Sequence, residues 1–169
     1  MAVLQIVAWP DPVLSAVAEP ATDVSEIADL AADMLETMYS APGRGLAAPQ
    51  VGHSLRLFVM DTTWKDEERT PMVFINPEIL DRSSMMTVGP EGCLSIKGVS
   101  LDVERSDWVD VAWTTLQGER RTQRFDGFDA ICIQHENDHL DGLVTFDRVS
   151  AAVRKEVEAA YHLLLETTK

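Results

Sequence analysis

Apolar residues recur at helical spacing in three segments of the chain. The first segment follows Asp23 and Glu26, which have the spacing of a helix-opening capping pair. Its apolar positions are Val24, Ile27, Ala31, Met34, Leu35 and Met38. A second helical segment runs from Phe128 to the glycine at 142, and a third covers about 151–166, with Val153, Val157, Ala160, Tyr161 and Leu164 on one stripe. We therefore predict three helices.

Between the first two helices the pattern changes to short β-branched or aromatic runs that are typical of strands. Pro42 and Gly43 end the first helix, and a glycine-rich turn is predicted over 43–52. The predicted strands lie at 55–60, 72–76, 99–103, 109–116 and 120–125. Gln117 and Gly118 are expected to join the last two strands as a hairpin. Because strands and helices are segregated along the chain, the pattern favours an α+β fold over a doubly wound sheet.

Length and composition agree with one globular unit. The chain has 169 residues, of which 46% are apolar and 25% charged, so it can bury a core without disulfides. It shows neither an internal repeat nor a linker-like stretch. We expect a single domain over 1–169.

The charge balance argues against several classes of partner. Fourteen basic side chains face 28 acidic ones, and the net charge of −14 repels phosphate backbones and anionic lipid. We therefore expect neither direct nucleic-acid binding nor a membrane role, and no run approaches the roughly 18 apolar residues that a membrane span requires. The N-terminus has no basic leader, and the two cysteines are expected to be free thiols. These features predict a cytoplasmic protein.

The second helix carries the pattern H-E-x-x-H over 135–139. Residues four apart on a helix share a face, so His135 and His139 can converge on one cation. A catalytic site needs a third ligand and one open position. The longer metzincin pattern fails, because Thr145 stands where its third histidine belongs. Glu156 and Glu158 would suit a gluzincin, but a solvated charged helix face is the simpler interpretation of both.

The chain offers two cysteines as the third ligand. Cys93 follows Gly92, which lets the backbone approach closely, and lies between two predicted strands. Cys132 lies three residues before His135 on the same helix. The residues alone favour Cys93 slightly, because a ligand from a separate element can close the coordination from another direction.

Three ordered motifs resemble the signatures of the peptide deformylase family: GRGLAAPQ (43–50), EGCLS (91–95) and QHENDHLDG (134–142). The resemblance implies antiparallel sheets packed around a central HExxH helix, with an N-terminal and a C-terminal helix. It also implies one divalent cation held by Cys93, His135 and His139, with Fe²⁺ expected first and Zn²⁺, Ni²⁺ or Co²⁺ able to replace it. The implied activity is removal of the formyl group from N-formylated nascent peptides. For the oligomeric state, on which the sequence is silent, a monomer is the simplest expectation.

The resemblance further assigns roles to residues of the motifs. Glu136 would take a proton from water and pass it to the leaving amine. The Gln50 amide and the Leu94 backbone N–H would stabilise the oxyanion. The residues expected to bind substrate or shape its pocket are Gly43, Arg44, Gly45, Gly92, Ile131 and Cys132. Glu91 and Asp138 are candidates to orient an imidazole, and Arg105 to anchor the strand after the cysteine.

Some positions depart from the family pattern and leave alternatives open. Arg44 stands where similar proteins usually have an aliphatic residue, and the C-terminal tail is nearly charge-balanced, so at most a weak ribosome association is expected. One alternative is a related enzyme that acts on another small N-acyl amine. Another is a non-catalytic metal-binding relative.

Overall fold

The computed structural model describes residues 1–168. The helices are α1 (Val24–Ser40), α2 (Gly127–Leu140) and α3 (Ala151–Thr167). The strands are β1 (Gly45–Ala47), β2 (Leu57–Met60), β3 (Met72–Arg82), β4 (Met86–Cys93), β5 (Ile96–Ser106), β6 (Trp108–Thr114) and β7 (Arg120–Asp126). Short 3-10 turns cover Pro12–Ser15, Ala48–Val51 and Thr145–Arg148. In the described residues, none of the helices combines the length and apolar character that crossing a bilayer requires.

The larger sheet has five antiparallel strands in the order β1-β2-β3-β6-β7 and is covered by a helix on each face. Strand β2 shows why, since all four of its residues are buried. Leu57 and Val59 belong to the apolar cluster formed with α1, while Phe58 and Met60 belong to the cluster formed with α2. Because successive side chains of a strand point to opposite faces, both faces need a helix.

The smaller sheet consists of the antiparallel hairpin β4-β5 and has its own apolar cluster. This cluster includes Trp9, Ile96, Val103, Phe146 and Tyr161. The Tyr161 hydroxyl on α3 donates to the carbonyl oxygen of Trp9 at 2.7 Å. The N-terminal segment and α3 thus close around the hairpin that carries Cys93.

Helix α2 lies between the two sheets, as the central HExxH helix was predicted to lie. Gln134 attaches it to the end of β5, because its side chain bonds the Ser106 N–H at 3.0 Å and the Ser106 carbonyl at 2.9 Å. Gly142, at φ +76°, follows the last turn, and an added Cβ there would lie 2.8 Å from the Ser15 carbonyl oxygen. The expected stop at Gly142 therefore has a steric basis.

The α+β prediction is confirmed, with local corrections. Asp23 caps α1 through the Ser25 N–H, and Gly118 turns the β6–β7 hairpin at φ +83°, both as expected. The predicted glycine-rich turn was wrong in part, because its residues include strand β1 and a buried 3-10 turn. Strand β4 was not predicted, since its exposed and half-buried residues lack the apolar alternation of a core strand.

The apolar stripe of the predicted helix α3 is only partly buried. Tyr161 is buried, but Val153 remains 41% exposed and Leu164 40% exposed. Helix α3 contacts the body of the molecule chiefly through β5. The predicted helix is thus present, and most of its stripe lies near the surface.

Candidate metal centre and active site

The two histidines of α2 and the cysteine at the end of β4 come together. The ligand atoms of Cys93, His135 and His139 all lie within 4.8 Å of one another. The Cys93 Sγ is 3.4 Å from the His139 Nε2. A thiolate and two imidazoles at this spacing form a donor set that suits Zn²⁺ and the neighbouring divalent transition metals.

The surroundings of the two imidazoles agree with a ligand role. The His135 Nδ1 donates to Glu91 Oε1 at 2.9 Å, so a cation would take the place of the proton on its Nε2. Burial, together with the positive charges of His135 and Arg105, holds the pKa of His139 well below its usual range, so this imidazole is neutral. A neutral ring can offer its lone pair to a metal ion. Three protein ligands would leave a fourth position open, as catalytic sites require.

The structure also shows which of the two cysteines belongs to the candidate metal site. Cys132 lies outside the three-residue group and contacts the backbone of the glycine-rich segment, with its Sγ 3.8 Å from the Arg44 carbonyl oxygen. Its side chain is buried, and burial with the nearby negative charge of Glu136 raises the pKa of this thiol well above its usual value. Cys132 is therefore a neutral thiol that lines the cleft.

Behind His135 lies a buried network of charged side chains. Glu91 receives two hydrogen bonds from Arg105, both 2.9 Å, and Arg105 also bonds Asp138 Oδ2 at 2.6 Å. Burial raises the pKa of Glu91, but hydrogen bonds from His135 and Arg105 outweigh this and lower it to about 2. Glu91 thus orients an imidazole and Arg105 anchors β5. Asp138, a candidate for the same role, instead binds Arg105 and Arg148.

Glu136 faces the cleft without such partners. It is 4% exposed, and its Oε2 has no hydrogen-bond partner among residues 1–168. Burial raises the pKa of Glu136 to about 7, with the charge of His135 opposing this and that of Glu91 adding to it. A carboxylate that titrates near neutrality is suited to accept and return a proton.

Gln50 reaches the same centre from the glycine-rich segment. Its Oε1 accepts the Ala47 N–H at 2.9 Å, which fixes the direction of the amide. Its Nε2 donates to Ser95 Oγ at 3.1 Å and lies 3.6 Å from Cys93 Sγ. The amide donor is therefore held beside the candidate ligand Cys93.

The glycines of the first motif are required by close packing. A Cβ added to Gly45 would lie 2.6 Å from Glu136 Oε1 and 2.9 Å from Cys132 Sγ. One added to Gly43 would lie 2.7 Å from Leu94 Cδ1. A larger residue would displace the side chains that form the centre.

A cleft of about 480 Å³ opens from this centre to the surface. Five residues of the centre line this cleft, namely Gln50, Cys93, Leu94, His135 and Glu136. All the residues that were predicted to bind substrate also line it: Gly43, Arg44, Gly45, Gly92, Ile131 and Cys132. His139 is 1% exposed and lies beneath them.

Two neighbours of the centre were not predicted. Arg148, in the 3-10 turn before α3, bonds both carboxylate oxygens of Asp138 at 2.6 and 3.0 Å. Ser95 receives the Gln50 amide. Nothing near Arg148 in the sequence distinguishes it from a surface arginine. Ser95, in contrast, belongs to the EGCLS motif, and that membership was the signal that could have found it.

The comparison with known proteins agrees with this geometry. The family model described as Polypeptide deformylase matches residues 3–155. The chain belongs to the peptide deformylase family. Among peptide deformylases, the one of Alkalilimnicola ehrlichii is 48% identical over 158 residues, which cover 93% of this chain and 88% of that relative. The one of Afipia carboxidovorans is also 48% identical, with 93% and 92% covered.

Solved peptide deformylase structures share the fold. The crystal structure from Legionella pneumophila has a TM-score of 0.91 at 33% identity and covers 99% of this chain and 98% of its own. The structure from Synechococcus elongatus, a complex with actinonin, has a TM-score of 0.86 at 42% identity, with 91% and 85% covered. The predicted family and its α+β fold are confirmed. Members of the family are metal-dependent, and Cys93, His135 and His139 form the candidate metal site here.

Proposed function

We propose that this chain is a metal-dependent hydrolase that removes the N-formyl group from the formylmethionine of newly made polypeptides and releases formate. Membership of the peptide deformylase family supports this function. The observation that carries it in the structure is the position of Glu136. Its unpartnered carboxylate lies in the same cleft as Cys93 and His135.

When bound, a divalent cation at Cys93, His135 and His139 supplies a Lewis acid that polarises a carbonyl and makes water a better nucleophile at neutral pH. Glu136 takes the proton of the attacking water and returns it to the departing amine. Because this carboxylate is shielded from solvent and has a free oxygen, it need not break a hydrogen bond to accept the proton.

Gln50 and Leu94 are proposed to stabilise the charge that develops on the formyl oxygen. Gln50 contributes the Nε2 donor that Ala47 and Ser95 hold in place. Leu94 contributes its backbone N–H, directly after the candidate ligand Cys93. A preorganised donor of this kind contributes about 3–4 kcal/mol to the transition state.

The shape of the cleft is proposed to select the substrate. Ile131 and Cys132, one turn before His135, line an apolar part of it that suits the methionine side chain. Gly43, Gly45 and Gly92 allow the peptide backbone to approach. A Cβ added at Gly45 would already be too close to Glu136 and Cys132, and we infer that such crowding favours formyl over larger acyl groups.

The finer assignments follow from the same proposal. We propose Fe²⁺ as the physiological ion, with Zn²⁺, Ni²⁺ or Co²⁺ as replacements. We expect residues 1–169 to act as one catalytic domain and as a monomer in the cytoplasm, where formylated chains are made. Any association with the ribosome is expected to be weak, because the C-terminal helix is not basic.

The test is formate release from N-formyl-Met-Ala-amide by anaerobically purified protein loaded with Fe²⁺ or Ni²⁺. Wild type is expected to turn over this substrate and to leave N-acetyl-Met-Ala-amide intact. Glu136→Ala is expected to bind the metal and to be inactive. Absence of turnover by metal-loaded wild type, or full turnover by Glu136→Ala, would contradict the proposal. Preference for the acetyl peptide would support the alternative of another N-acyl substrate.

A further inference from the structure

Basic side chains line the mouth of the cleft, although the chain as a whole is acidic. The chain carries a net charge of −14 and has only four lysines. Two of these, Lys65 and Lys97, line the cleft together with Arg44. Since basic residues are in the minority in this chain, their meeting around one opening needs an explanation other than composition.

The acidic side chains of the cleft do not cancel this charge at its mouth. Its lining contains two of them, Glu91 and Glu136. Glu91 is neutralised by Arg105 at 2.9 Å, and its side chain is 8% exposed. Glu136 is buried as well. Both are buried at the base of the cleft, so the exposed charged side chains that line it are the three cations.

The three cations differ in how far they are already paired. Arg44 Nη2 lies 3.4 Å from Asp66 Oδ2, but the Asp66 side chain is 78% exposed, so this pair is weak. The Arg44 guanidinium also lies over the Phe128 ring, with its Cζ 5.2 Å from the ring centre. Within residues 1–168, neither Lys65 nor Lys97 has a carboxylate within 4.0 Å. Both lysines are exposed and can therefore pair with a ligand.

Lys65 is kept at the opening by its own loop. The Trp64 ring nitrogen donates to the Gly43 carbonyl at 2.9 Å, which ties this loop to the glycine-rich segment of the cleft. Asp61 holds the base of the same loop through the Thr70 N–H at 2.9 Å. The acidic residues 66–68 follow Lys65 in the loop but do not line the cleft. Lys97 lies on the opposite wall, in β5, four residues after Cys93.

We propose that the mouth of the cleft selects N-formyl peptides that carry a carboxylate about two residues after the formylmethionine. This inference rests on the proposed function, because it places the formyl group at the candidate metal site. An extended peptide advances about 3.3 Å per residue, so a carboxylate two residues on lies about 7 Å farther out, where long lysine and arginine side chains can meet it. Its source is either an acidic side chain or a free C-terminus.

The test compares three peptides at low ionic strength. N-formyl-Met-Ala-Glu-amide carries a side-chain carboxylate, N-formyl-Met-Ala-Gln-amide is its neutral match, and N-formyl-Met-Ala-Gln with a free C-terminus carries a terminal one. We expect kcat/KM for the glutamate peptide to exceed that of its neutral match by about three- to tenfold, since each exposed pair contributes only a small factor. The effect should appear in KM, because these charges lie away from the reacting atoms. The third peptide shows whether a terminal carboxylate is accepted equally.

Variants of the lysines test whether the preference for the glutamate peptide arises at the cleft. Lys65→Gln/Lys97→Gln is expected to reduce the preference to within about twofold, and so is a rise in salt. Lys155→Gln removes the same charge from the exposed face of α3 and should keep the full preference. Equal KM values for glutamate and glutamine peptides in wild type, or an undiminished preference in the double variant, would overturn the proposal.

The outcome is separable from that of the proposed function. Turnover of the neutral peptide supports the deformylase activity whatever its charge preference. If no peptide is turned over, the deformylase proposal fails. Calorimetric titration with the same peptides then still measures the charge preference as a ratio of Kd values, and equal values would overturn it.

Discussion

Helix α2 carries a buried carboxylate on each of two sides, and only one of them is paired with arginines. Glu136 and Asp138 are two residues apart, 4% and 6% exposed. Asp138 accepts hydrogen bonds from Arg105 and from Arg148, three in all, at 2.6 to 3.0 Å. Glu136 leaves its Oε2 without any partner in the part of the chain that the structure describes.

The difference shows how the molecule combines rigidity with reactivity. A buried charge is costly unless it is paired, so the Asp138 side can hold the helix firmly only because both arginines are present. On the Glu136 side the cost remains uncompensated, and burial raises the pKa of this carboxyl to about 7. One side of α2 thus stabilises the fold, and the other keeps an unpaired, buried carboxyl group available for chemistry.

Substitution of Glu136 should give the largest effect. Glu136→Gln keeps the shape of the side chain but cannot accept the proton, so formate release should fall by about 10²–10⁴-fold. The melting temperature should stay the same or rise, since a buried charge is removed. Elemental analysis should show unchanged metal content. A variant that loses activity together with its metal or its fold would contradict this division of roles.

Substitution of Arg105 tests the other side. Arg105→Met leaves Glu91 and Asp138 buried without their shared cation, and should lower the free energy of unfolding by about 3–5 kcal/mol. Denaturant unfolding measures this change. Arg121→Met is a matched control, because its ion pair with Glu119 has both side chains about 60% exposed and should contribute at most about 1 kcal/mol. Equal destabilisation by the two variants would show that the buried network does not hold the helix.

A methyl group added at Gly45 should disturb the reactive side alone. In Gly45→Ala the Cβ would lie 2.6 Å from Glu136 Oε1 and 2.9 Å from Cys132 Sγ, both ends of side chains that can move. The fold should therefore survive, while a misplaced Glu136 lowers kcat by about 10- to 100-fold. Gly89→Ala is the control, because an added Cβ there meets nothing within 4 Å. Comparable activity of the two variants would refute the close contact with Glu136.

Much of this centre could be predicted from the sequence, because its key groups are local. His135 and His139 are four residues apart on a helix, so their spacing alone predicts a shared face, and Glu136 adjoins the first of them. Cys93 could not be separated from Cys132 with certainty by spacing, since the choice depends on how β4 approaches α2. Arg148 was missed for the same reason: it reaches Asp138 from a different element, at a position set only by the packing of the 3-10 turn before α3.

The fold shows the same limit. Helix α1 and the β6–β7 hairpin were predicted because capping, periodicity and a turn glycine are local signals. Strand β1 has only three residues and begins with glycine, so its sequence does not indicate a strand. It is a strand because it pairs with β2. In α3, apolar periodicity predicted the helix but not which of its residues the fold buries, and the buried one is Tyr161.

The smallest expected effect concerns the pH dependence of stability in metal-free protein. The pKa of Glu136 is about 7 in the folded chain and 4.5 for an ordinary glutamate in the unfolded chain, so between these values the folded state binds more protons than the unfolded one. Stability contributed by the protonated carboxyl is complete below about pH 4.5 and is lost as the pH rises through 7. The Glu136→Gln variant has no titrating group here, so its free energy of unfolding does not fall in this way. The difference in free energy of unfolding, variant minus wild type, should therefore increase by about 2 kcal/mol between pH 5.5 and 8. Denaturant unfolding in the presence of a chelator measures it. A constant difference over this range would mean that Glu136 is solvated or paired in solution, and the contrast with Asp138 would then disappear.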